Sequence, residues 1–168
     1  RYECLANSTI DGPAIVGEMD STTLIHPGYQ AQVDAGGNLL ICSTTGDQAL
    51  AAATAAAEAM RDVSDCILPF PGGLVRSGSK VGSQYKALKA STNDVWCPTL
   101  RAQVDSVLPE TVEAVYEIVI DGLPLESVTE AMRVGLATAT GCEGVELIGA
   151  GNYGGQLGQH HIQLRDCL

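Results

Sequence analysis

One glutamate stands out in this sequence. Residues 114–120 read AVYEIVI, a β-branched and aromatic run with Glu117 at its centre. Such a run is expected to form a strand. Two-residue alternation then puts Glu117 on one face with Val115 and Val119, and Tyr116, Ile118 and Ile120 on the other. A carboxylate among apolar neighbours is costly to bury charged, so burial drives its pKa upward. A carboxyl that keeps its proton near neutral pH can lend it and take it back, which is general acid–base chemistry. The competing readings are structural: an ion pair with Lys80 or Arg101, or an exposed sheet face.

The second stretch with chemical potential is residues 69–83, PFPGGLVRSGSKVGS, with four glycines, two prolines and three serines. Glycine and proline exclude a helix interior here. Phe70, Leu74, Val75 and Val81 anchor the stretch, and Arg76 and Lys80 sit on glycine-flanked backbone. A shaped loop with exposed N–H groups and cations suits an anionic or polar ligand. A purely structural Ω-loop is the alternative.

Charge sharpens that reading. The 168 residues carry a net charge of −11, which argues against nucleic acid or an anionic membrane as partner for the whole surface. Between residues 70 and 104, five cations (Arg76, Lys80, Lys86, Lys89, Arg101) face one acid, Asp94, so that window is +4 and the remainder −15. A basic island in an acidic protein fits a small anionic ligand; a solvated basic loop is the plainer alternative.

Other familiar constellations fail. The six cysteines form no C-x-x-C pair and have no matching histidine spacing, so no metal site is expected. Unpaired thiols and the lack of a long apolar run point to a cytoplasmic chain with no membrane segment. Residues 149–154, GAGNYG, match a dinucleotide fingerprint, but too little chain follows for the helix and strand it needs. Ser77-Gly78-Ser79-Lys80 matches S-x-x-K without its companion motifs.

The elements that must position these residues follow from patterning. Residues 1–36 read as an arm or edge segment, with a short strand within 1–10 and another at 14–16. Residues 37–168 read as one lobe. Gly36-Gly37 opens NLLICS, a buried strand at 38–43. Asp47 is the expected N-cap of an alanine-dominated helix, 48–63, with Leu50, Met60 and Val63 as its larger contacts. A strand at 66–68 runs into the glycine loop, and 85–90 suggests a hairpin strand. After the 114–120 strand come a helix at 125–139, a strand at 145–148 and a short terminal strand at 161–164. Two βαβ units in series give the ferredoxin-like pattern, an α+β βαββαβ sandwich with a long Gly-rich insertion between the units.

Five segments in order carry a family resemblance: PFPGGLVRSGSKVGS, YKALKASTNDVWCPTLR, VYEIVIDG, AMRVG and GAGNYGGQLG. From about residue 14 onward the chain resembles the C-terminal lobe of formylmethanofuran:tetrahydromethanopterin formyltransferases. It departs from them by lacking the first lobe and at Gln156, where the motif leads one to expect lysine. The resemblance implies a cytoplasmic one-carbon enzyme of methanogenesis or methylotrophy. It would move a formyl group between the amine of methanofuran and N5 of tetrahydromethanopterin. Both carriers are polyanionic substrates, and no bound cofactor or metal is implied. The family's essential glutamate falls on Glu117, as acid to the oxyanion of a tetrahedral intermediate. The expected substrate-binding residues are Arg76, Ser77, Gly78, Ser79, Lys80, Lys89, Ser91, Thr92, Asn152 and Tyr153. Implied partners are further copies of the chain, an N-terminal formyltransferase lobe, or subunits of a formyltransferase/hydrolase complex. The alternative is a non-catalytic ferredoxin-like lobe that binds a ligand or serves assembly of a larger complex.

Overall fold

The computed structural model describes residues 9–11, 14–17, 22–25, 27, 30–32, 35–76, 94–151, 160 and 162–167. The N-terminal segment holds four short strands where the patterning suggests two. β1 (Thr9–Asp11) pairs antiparallel with β4 (Gln30–Gln32), and β2 (Ala14–Gly17) with β3 (Thr22–Ile25). These form two two-stranded sheets separate from the main one.

The main sheet starts with β5 (Ala35–Ser43). This strand is longer than expected because Gly36 and Gly37 do not end it: they pair with Asp121 and Ile120 of β8 (Ala114–Gly122). Packing explains the glycine. A Cβ on Gly37 would lie 2.8 Å from Val128 Cγ1 and 3.0 Å from Met132 Sδ, both on the second helix. Here glycine admits a close helix rather than making a turn.

Helix α1 spans Gly46–Met60, and its N-cap is Thr45 rather than Asp47. Thr45 Oγ1 accepts from the Gln48 N–H at 3.3 Å, which leaves Asp47 in the first turn, where its charge suits the helix dipole. The buried face is Ala49, Ala52, Ala53, Ala56, Ala57 and Met60. Leu50 is exposed rather than a main contact, while Val63, just past the helix end, is half-buried and packs against the core as expected. Alanine brings the helix axis close to the sheet and to α2 (Leu125–Thr140). At Gly135 of α2 the approach is so close that a Cβ would collide with Met60 Cε.

β6 (Cys66–Ile67) and β7 (Val75–Arg76) both pair antiparallel with the same edge of β8. They are two pieces of one edge strand, broken by the PFPGG stretch. Gly72 and Gly73 turn the chain out with φ of 69° and 82°. β9 (Val145–Gly149) closes the sheet against β5. The order is β6–β8–β5–β9 with β7 also on β8, antiparallel throughout. The expected terminal strand is absent at 162–164. Leu164–Cys167 instead forms a 3₁₀ turn, whose i, i+3 spacing turns Leu164 and Cys167 into the helix-side core.

Both helices cover one face of this mixed α+β sheet, over Leu39, Ile41, Ile118 and Ile120. On the opposite face, residues 94–112 fold back so that Trp96, Leu108 and Val112 cover Leu40, Cys42 and Val115. The expected hairpin strand at 85–90 lies outside the described residues. Among the described residues no helix is long and apolar enough to cross a membrane.

Replacing Gly37 by valine forces methyl groups into Val128 and Met132. Overpacking of this kind costs about 1–3 kcal/mol. Urea unfolding is expected to show a lower midpoint with an unchanged slope; an unchanged midpoint contradicts the close β5–α2 contact.

Candidate functional site

The alternation predicted for β8 places Glu117 on the face turned away from the helices. The register fixes a row across the sheet: Val75 on β7, Glu117 on β8, Leu40 on β5, Gly149 on β9. Glu117 is 8% exposed and is the only buried charged side chain among the described residues. Its cross-strand partners Val75 and Leu40 are apolar. A carboxylate in such a place loses several kcal/mol of hydration, and a hydrogen bond to a charged group returns roughly 1.5–3 kcal/mol.

One such bond comes from Asn38. Its Nδ2 donates to Glu117 Oε1 at 2.7 Å and to the Gly151 carbonyl at 2.8 Å, while its Oδ1 accepts from the Gly151 N–H at 2.8 Å. Asn38 thus joins the carboxyl to the chain just past β9. The reading of the sequence did not single out Asn38, because a polar residue after Gly-Gly resembles the end of a turn. The available signal was its alternation with Leu40 and Cys42, which gives all three one face.

Trp96 seals the far end of the row. A Cβ on Gly149 would strike its indole ring, so glycine is what lets the ring approach β9. This ring and Leu108 cover the Cys42–Val115 part of the face next to Glu117.

Arg76 is described and exposed. It pairs with Tyr116, the neighbour of Glu117, so the pleat sends its side chain to the face opposite Glu117. Arg101 turns one nitrogen of its guanidinium to the backbone. Its Nη2 donates to the carbonyls of Pro109 at 2.9 Å and Val112 at 2.7 Å, which ties down the segment leading into β8. The expected site residues Ser77, Gly78, Ser79, Lys80, Lys89, Ser91, Thr92, Asn152 and Tyr153 lie outside the described residues, as does Lys86. Their chain connections are nevertheless informative. Arg76, which precedes 77–92 in the chain, lies next to the Val75–Glu117 pair. Gly151, which precedes 152 and 153 in the chain, is tied to Glu117 by Asn38.

Cys42 shares the face but not the chemistry. It is fully buried, and burial pushes its thiol up to about 12, so it is a neutral thiol and a poor nucleophile near pH 7. Among the described residues no group of three or more His, Cys, Asp or Glu comes together that could hold a metal ion.

The family described as "FTR, proximal lobe" matches residues 26–167. A formylmethanofuran–tetrahydromethanopterin formyltransferase of Methylococcus capsulatus is 53% identical over 136 residues, covering 79% of this chain and 46% of the relative. The solved formylmethanofuran:tetrahydromethanopterin formyltransferase of Methanosarcina barkeri superposes with a TM-score of 0.70 at 39% identity, covering 92% of this chain and 53% of that one. A chain in the formyltransferase/hydrolase complex of Methylorubrum extorquens, solved with methylofuran, also gives 0.70 at 43% identity, covering 91% and 51%. The chain thus spans about half the length of the relatives it matches.

The Cys42 assignment has a pH signature. The folded thiol holds its proton until about 12, while the unfolded thiol ionises near 9.0. The unfolded state therefore binds fewer protons between these values, and stability falls as pH rises through this window, by at most about 1.4 kcal/mol per pH unit for one group. Burial also raises Cys66 and Cys167, with help from Asp65 and Asp166, so the comparison needed is with Cys42→Ala. That variant is expected to show a shallower decline in denaturant-measured stability above pH 9; an identical decline contradicts the burial of Cys42.

Proposed function

Because its proximal-lobe signature runs through residues 26–167, this chain belongs to the formylmethanofuran:tetrahydromethanopterin formyltransferase family, and we propose that it takes part in the same formyl transfer. The reading includes a cytoplasmic enzyme of one-carbon metabolism. The formyl group passes between the primary amine of a methanofuran-type carrier and N5 of a tetrahydropterin carrier. Both carriers are substrates, and no resident cofactor is required. The strand order and the placing of both helices on one face support a ferredoxin-like description of the lobe, residues 37–168, with 1–36 as an arm.

The observation that carries the mechanism is Glu117, the one buried charged side chain among the described residues. The described residues that precede the remaining expected site residues in the chain, Val75–Arg76 and Gly151, lie on either side of it. In the transfer, the acceptor nitrogen attacks the formyl carbon. A new C–N bond forms, and the carbonyl π pair moves to oxygen, where protonated Glu117 donates. When the intermediate collapses, the oxygen returns its proton to Glu117 and the C=O bond reforms. The old C–N bond breaks, its electron pair goes to the departing nitrogen, and that nitrogen takes the proton lost by the attacking one. Proton donation to a developing oxyanion is worth on the order of 10²–10⁴ in rate. The carriers' carboxylates and phosphate are met by Lys80, Lys86 and Lys89, whereas Arg76 points to the face opposite Glu117.

A second reading follows from the chain's span, about half that of its relatives. In it the lobe is a part of a larger assembly, joined by a formyltransferase lobe, by further copies, or by subunits of the kind in the formyltransferase/hydrolase complex.

The test measures formyl transfer with the chain alone and with the other half of a relative supplied. Glu117→Gln keeps the size and hydrogen-bonding capacity of the side chain, so it is expected to fold and to lose 10²–10⁴-fold in transfer rate. Transfer at the unmodified rate by this variant contradicts the acid role. A folded chain inactive in both arrangements contradicts the catalytic reading and leaves the assembly role.

A further inference from the structure

Asn38 does more to Glu117 than touch it. The Gly151 N–H donates to Asn38 Oδ1, so the other arm of the amide is Nδ2 by elimination. A flipped amide would set N–H against N–H and C=O against C=O at Gly151. Both protons of Nδ2 are then committed, one to the Gly151 carbonyl and one to Glu117 Oε1. The exchange with Gly151 copies that of an antiparallel ladder pair and extends the pairing past Gly149, the last residue of β9. The amide is therefore locked by the backbone, not by Glu117, and it presents a donor whatever the carboxyl's state. Oε1 can only accept. In the neutral acid the proton must sit on the other oxygen.

We propose that Asn38 is a positioning residue that decides which oxygen of Glu117 carries the transferable proton and ties its direction to the Gly151 backbone. The inference rests on the reading of Glu117 as the acid. It assigns to β5 a part in the chemistry beyond carrying the sheet. It also gives a reason for the bond to run through a side chain. A residue on a rigid strand holds the carboxyl plane, while Gly151 links that plane to the start of the NYGG stretch.

On the strand of Glu117, Asp121 shares its face, four residues further along; Arg76 of β7 leaves on the opposite face. In the covering segment Asp94 caps the Val95 N–H, Arg101 is bonded to carbonyls, and Asp105 and Glu110 are exposed.

Two variants test this. Asn38→Leu removes donor and acceptor at similar volume. Asn38→Asp keeps the acceptor for the Gly151 N–H and puts an oxygen where the donor stood. The first readout is the ¹³C titration of the Glu117 carboxyl in glutamate-labelled protein, assigned by its loss in Glu117→Gln. Losing a donor disfavours the carboxylate, so the midpoint is expected to rise by about one pH unit or more in whichever variant folds, and further in Asn38→Asp. The second is transfer by the assembled enzyme, in which kcat falls tenfold or more and KM changes less than threefold. An unmoved midpoint in a folded variant, or a loss confined to KM, overturns the proposal and leaves Asn38 as a strand-end clip. Full activity of Glu117→Gln overturns the acid reading instead, and leaves the titration result to stand by itself.

Discussion

A single carboxyl held inside an apolar sheet face is the constraint around which this lobe is built. Glu117 sits between Val75 and Leu40 in a row that ends on Gly149 under the Trp96 ring. Replacing such a group by a hydrophobic residue of like size is often neutral or stabilising, so stability gives no reason to keep it. Its retention at the centre of the strongest strand is understandable as chemistry. The strand supplies what a loop would not, a carboxyl whose backbone is paired on both sides, to β5 and to β7.

The rest of the fold makes that face available. With seven aromatic residues in the chain, the core is filled by alanine, and the alanine face of α1 draws both helices onto one side of the sheet. The other side is then covered only where residues 94–112 lie across it. Arg101 fastens that cover through the carbonyls of Pro109 and Val112, and it ends next to the row that contains Glu117. The PFPGG break in the edge strand serves the same arrangement: β7 resumes pairing opposite Tyr116 and Glu117 and sets Val75 beside the carboxyl.

Elements set by local patterning were legible in the sequence. The alternation of AVYEIVI gave the face of Glu117, and the alanine run and the i, i+3 spacing gave both helices. What was not legible depends on partners distant in the chain. Gly36 and Gly37 look like a turn until α2 is known to press on them. Thr45 and Asp47 are equally good caps by type, and the chain's path from β5 selects Thr45. Leu50 reads as core by composition and lies on the exposed side of α1. The terminal segment reads as a strand, yet Leu164 and Cys167 reach the core by a 3₁₀ turn. Counting charges marked a basic island but could not show that Arg101 turns one guanidinium nitrogen to carbonyls. Asn38 was missed because its role needs Glu117 and Gly151, 79 and 113 residues away, at once.

The central claim is that the carriers meet the protein at Glu117. It is tested most directly by mapping binding on ¹⁵N-labelled chain, with a methanofuran-type formyl carrier added stepwise at neutral pH. The account predicts saturable shifts of the Asn38 side-chain amide and the Gly151 N–H, lost together in Glu117→Gln or altered in common, with the groove lined by Met60, Arg61, Ile67 and Phe70 unaffected. Saturable shifts confined to that groove, or to the helix side of the sheet, would contradict it.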